Sequence, residues 1–136
     1  MTMKGNQIKT DFGSGLQVGD FFFRSAVDTC GADGTFPCRD SRERGLFCMR
    51  KFQEILYEAG GSLDSLVQLR FYFSDSEHLT AAFVREVLSE LIEEPLPAFS
   101  VIPAGAVPGN LMADGIAVIM SNSVSCGSCG GCAKSC

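Results

Sequence analysis

The sequence has 136 residues, of which 46% are apolar and 20% charged, with a net charge of −5; this is globular composition, sufficient for one core and too short for two, and it excludes a disordered chain. The acid excess and the lack of any Lys/Arg run remove the basic patch that a nucleic-acid binder uses to displace counterions. No apolar stretch approaches the roughly 20 residues that span a bilayer, and MTMKGNQIKTDFGSG lacks a signal-peptide core, so neither membrane nor nucleic acid is an expected partner and the expected location is cytoplasmic.

Residues 16–28, LQVGDFFFRSAVD, read as a hairpin with Gly19-Asp20 at the turn and Phe21-Phe22-Phe23 opening its second strand. Residues 29–41 are loop, holding glycine, proline and turn-forming polar residues. The spacing predicts a helix over 43–59, with Cys48, Phe52, Ile55, Leu56 and Ala59 on one face and Gly60-Gly61 ending it. LVQLRFYF, 66–73, is strand-like. Ser74-Asp75-Ser76 offers an N-cap for a second helix over 77–92, whose apolar face is Leu79, Phe83, Val84, Val87, Leu88 and Leu91, before Pro95 and Pro97 stop it. Strands over 98–102 and 111–120 close the domain.

The expected order is β-β-α-β-α-β-β, an α+β domain over 1–120 with two helices on one face of a single sheet. The other face is left apolar, which favours oligomerisation. From Ser121 to Cys136 no large apolar residue follows Val124, so 121–136 forms a separate cysteine-rich tail that cannot fold by burial.

Several strings resemble the RidA/YjgF (L-PSP) family of reactive-intermediate deaminases. GDFFFRSA resembles its opening "G-x-x-x-F-x-S-G" strand. ILYEAGGSLDSLVQLRFYFSD resembles its "iL-x-x-aG-x-s-l-d-d-v-v-k-x-x-v-f-l-x-D" segment. LPAFSVI resembles "P-A-R-S/T", and LMADGIAVI resembles "v-E-i-E-a-I-A". The resemblance covers roughly residues 17–120 and implies a chorismate-mutase-like homotrimer with three clefts at subunit interfaces that bind small carboxylates. The implied activity is that of a 2-iminobutanoate/2-iminopropanoate deaminase, an imine and enamine hydrolase that needs no cofactor. Such an enzyme has only to hold the substrate carboxylate and present a water to an already electrophilic carbon.

The positions that the resemblance assigns to the cleft are Ser25, Ala26, Phe99, Ser100 and Val101. The family's carboxylate-clamping arginine matches Phe99, and a phenyl ring cannot form the bidentate pair. Deaminase activity is therefore expected to be weak or lost, and Phe99→Arg to restore carboxylate binding; otherwise Phe99 is a packing residue in a remodelled cleft. The family's acidic residue matches Asp114, which either positions the attacking water or starts a turn with Gly115. Arg24 is expected to face away from Ser25 by strand alternation, and Arg70 is a second candidate anion-binding residue; for both, a solvated or interface role competes. His78, the only histidine, reads as a surface residue at the start of the second helix.

Seven cysteines form an odd total, against a simple disulfide framework. Cys126, Cys129, Cys132 and Cys136 have the spacing of a bacterial ferredoxin run without its proline. Zinc or an iron–sulfur cluster on these thiolates, redox or persulfide chemistry, enzymatic modification of a Gly/Ser/Cys segment, and no role all remain open. Cys30, Cys38 or Cys48 could supply a further ligand, although Cys48 on the apolar helix face reads as core. Function is thus expected either in a small-metabolite cleft or in the tail.

Overall fold

The computed structural model describes residues 5–10, 13–74 and 80–120. Six strands, β1 (Asn6–Thr10), β2 (Gly13–Val18), β3 (Phe21–Asp28), β4 (Leu66–Phe73), β5 (Ala98–Pro103) and β6 (Leu111–Val118), form one sheet in the order β1-β2-β3-β6-β4-β5. Neighbours are antiparallel except β4 and β5, which run parallel through a crossover that carries helix α2 (Ala81–Leu91). Helix α1 (Ser41–Glu58) connects β3 to β4.

The α+β reading holds, with one strand more than expected. β1 precedes the predicted hairpin and pairs with β2 over Asn6↔Gln17 to Thr10↔Gly13. NQIKT carries a single large apolar residue, Ile8, which packs on the core, so alternation gave too little signal. The second helix starts later than expected. Thr80 has extended backbone and its side chain accepts from the Phe83 N–H, making it the N-cap. The Ser74-Asp75-Ser76 cap, His78 and Leu79 fall partly or wholly in 75–79, outside the described residues, as does the whole of 121–136. The first helix starts at Ser41 because Asp40 accepts from the Glu43 N–H at 2.8 Å.

The core lies between the helices and one face of the sheet. From α1 come Cys48, Met49, Phe52, Ile55 and Leu56; from the sheet come Phe22, Leu69, Phe71, Phe73, Leu111, Ala113 and Ala117. Strand alternation sends the intervening residues to the opposite, open face. There Leu16, Phe21 and Phe23 stand 45%, 50% and 39% exposed, with the two phenylalanine rings 6.4 Å apart. Because Leu16 pairs with Phe23, and Phe21 with Val118, these side chains form one apolar strip.

Candidate functional site

The site lies on the open face, at the middle of β6. Leu111, Ala113, Gly115 and Ala117 are buried toward the helices, so Asp114 between them points to the open face. On one side Asp114 is paired with Arg70 of β4. On the other side the ladder to β3 passes from Arg24↔Gly115 directly to Val27↔Ala113. Ser25 and Ala26 therefore oppose the single residue Asp114 in a β-bulge, which breaks alternation and re-aims side chains locally.

Arg70 holds Asp114 side-on. Its Nε donates to Oδ1 at 2.9 Å and its Nη2 to Oδ2 at 3.0 Å, and the Tyr72 hydroxyl donates to the same Oδ2 at 3.0 Å. The hydrogen bond and charge of Asp114 raise the Arg70 pKa. Desolvation first, and then the bond to Asp114, raise that of Tyr72. The Asp114 side chain is 18% exposed and that of Arg70 53%, so the carboxylate forms the floor and the guanidinium the rim. Together with Phe23, Ser25, Gln68 and Ile116 they line an open hollow of about 380 Å³ that Arg24 also borders. Arg24 Nη1 donates to the Ser25 Oγ at 3.1 Å and to its carbonyl at 3.3 Å. Its register with Gly115 gives it the helix-facing parity expected from alternation, but the bulge lets its guanidinium run along the strand to Ser25.

The sequence-predicted residues are only partly brought together. Ser25 and Asp114 meet in the hollow, and the turn reading of Asp114 is overturned, since it lies in mid-strand, paired with Arg70 on the β4 side and opposite the bulge on the β3 side. Ala26 is exposed in the bulge but does not line the hollow. Phe99 stands elsewhere. It pairs with Leu69, which is buried toward the helices, packs on the core, and carries the Arg85 guanidinium of α2 at 5.5 Å from its ring centroid. Val101 follows the same parity opposite Phe71. Ser100, opposite Arg70, has open-face parity without lining the hollow. The arginine that pairs with Asp114 in this site is Arg70, joined by Tyr72 and Gln68, two residues that sequence reasoning missed. Alternation from Leu69 and Phe71 could have placed all three on one face.

Among the described residues no group of His, Cys, Asp or Glu is arranged to hold a metal. Cys48 is fully buried, whereas Cys30 and Cys38 are half-buried. The four tail cysteines proposed for metal lie outside the described residues. No helix among the described residues is long and apolar enough to cross a membrane.

No family model matches the chain. It is similar to two curated Schizosaccharomyces pombe proteins: mmf2, mitochondrial, at 30% identity over 76 residues, and mmf1, mitochondrial, at 34% over 61 residues. The matches cover 56% and 45% of this chain, and the chain spans only 59% and 36% of the lengths of these relatives. Among solved structures, RidA from an Antarctic Psychrobacter superposes with a TM-score of 0.70 at 20% identity, covering 88% of this chain and 97% of that one. YyfA of Yersinia pestis, of the Rid protein family, gives a TM-score of 0.74 at 16% identity over 85% and 99%. Yeast Mmf1 gives 0.70 at 19% over 88% and 95%. By the order of its sequence strings and by the architecture they build, the resemblance of this chain is to the RidA/YjgF (L-PSP) family, and its fold is the fold of that family.

Proposed function

We propose that this chain is a homotrimeric binder of a small metabolite, held in hollows on the open sheet face that neighbouring subunits complete, with imine/enamine hydrolysis weak or absent. The observation that carries this reading is the arrangement around Asp114. In imine hydrolysis a water adds to the C=N carbon, the nitrogen takes up protons and ammonia leaves a 2-oxo acid. The residue positioned to orient that water is Asp114, yet three donors from Arg70 and Tyr72 already occupy its oxygens. Phe99 packs against the core and Arg85, so no clamp comes from β5. The strip of Leu16, Phe21 and Phe23 supports association through the open face, and the family resemblance supplies the number three. The cytoplasmic location is part of the same proposal; subcellular fractionation in the source cell tests it.

The test is an assay of freshly generated 2-iminopropanoate hydrolysis by the full chain, with light scattering at micromolar protein. A trimer with hydrolysis close to the uncatalysed rate supports the proposal. Turnover at ordinary enzymatic rates, ~1–1000 per second, overturns the loss of activity, and a stable monomer overturns the assembly.

The spacing of Cys126, Cys129, Cys132 and Cys136 favours a second reading, in which the tail binds zinc or an iron–sulfur cluster while the domain carries it. Metal analysis and visible spectra of anaerobically purified protein, beside a chain ending at Ser121, test it; equal metal content in both rejects it.

A further inference from the structure

We draw no further inference here: the strongest candidate, the open hollow that Asn6, Ile8, Gln17, Ala59, Ile119 and Met120 line between the C-terminal end of α1 and the β1–β2 hairpin, carries nothing, because nothing in the structure shows what covers it.

Discussion

The Arg85 guanidinium on α2 stands 5.5 Å from the centroid of the Phe99 ring on β5, on the side of the sheet opposite the Arg70–Asp114 pair. This contact fixes which way the β5 position matched to a family arginine faces. Phe99 shares its parity with Leu69, which is fully buried. An arginine put in its place would start among apolar side chains and beside a like charge. Phe99→Arg should therefore leave carboxylate affinity unchanged and lower stability by about 1–3 kcal/mol, from lost apolar burial and cation–π contact. This replaces the expectation of restored binding drawn from sequence. Urea unfolding and butanoate titration of the variant check it; a gain in affinity at unchanged stability would show that β5 can still present a clamp.

Gly109 holds the entry to β6. Its φ is +69°, and the following Asn110 has the same value, so two consecutive residues take the left-handed conformation that side chains other than Gly and Asn rarely adopt. A Cβ on Gly109 would collide with the Thr29 Oγ1 and the Phe36 ring. Thr29 is itself buried and its hydroxyl donates to the Gly109 carbonyl at 3.4 Å. Gly109→Ala should cost roughly 2–4 kcal/mol, combining backbone strain and overpacking. Asn110→Gly, which relieves the same conformation, should stay within about 1 kcal/mol of the parent. Thermal unfolding of both variants measures the difference, and equal effects would contradict the steric account.

Most of the fold was legible because its elements are long and its signals agree. The LVQLRFYF strand, the Gly60-Gly61 stop of the first helix and the Gly19-Asp20 turn all lie where the residues put them. β1 escaped because a polar edge strand with one core contact has no alternation to read. The site was harder. Matching strings located Asp114 and Ser25, but a β-bulge at 25–26 and a parallel register between β4 and β5 decide which face each neighbour meets. Neither leaves a local trace in composition. Arg70 was visible as a candidate, yet its value lies in pairing with a residue 44 positions away, which only the assembled sheet reveals.

Lys51 ties the end of β3 to α1. Its side chain is 11% exposed, and its ammonium donates to the Asp28 Oδ1 at 3.1 Å and the Cys30 carbonyl at 2.9 Å, while Asp28 also accepts from the Cys30 N–H at 3.0 Å. Lys51→Met keeps the apolar stem and removes the charge, leaving Asp28 without this cation and the Cys30 carbonyl without this donor. A loss of about 1–3 kcal/mol is expected. Asp28→Asn retains an acceptor for both N–H donors and should cost less. Chemical denaturation in low and high salt checks both; a partly buried pair should resist screening better than the exposed Arg42–Glu90 bridge between the helices.

Cys48 gives the sharpest pH prediction. It is fully buried on α1, its thiol donates to the Val27 carbonyl at 3.3 Å, and burial pushes its pKa up to about 12 from an ordinary 9.0. The folded pKa is raised, so the protonated thiol is the form that the fold favours. Below pH 9 both folded and unfolded chains hold this proton, and stability does not depend on it. Between about pH 9 and 12 the unfolded chain releases the proton first, so stability falls as pH rises. Urea midpoints should drop between pH 8 and 10.5 in the parent, and drop less in Cys48→Ala after correction for the smaller core side chain. Alkylation at pH 8 offers a second readout. Native protein should be modified at half-buried Cys30 well before Cys48, because the thiolate is the nucleophile and Cys48 is neither ionised nor reachable. In urea the two should react alike. Equal rates in the native state, mapped by mass spectrometry of the peptides, would mean that α1 opens readily from the sheet and that Cys48 is not the sealed core residue described here.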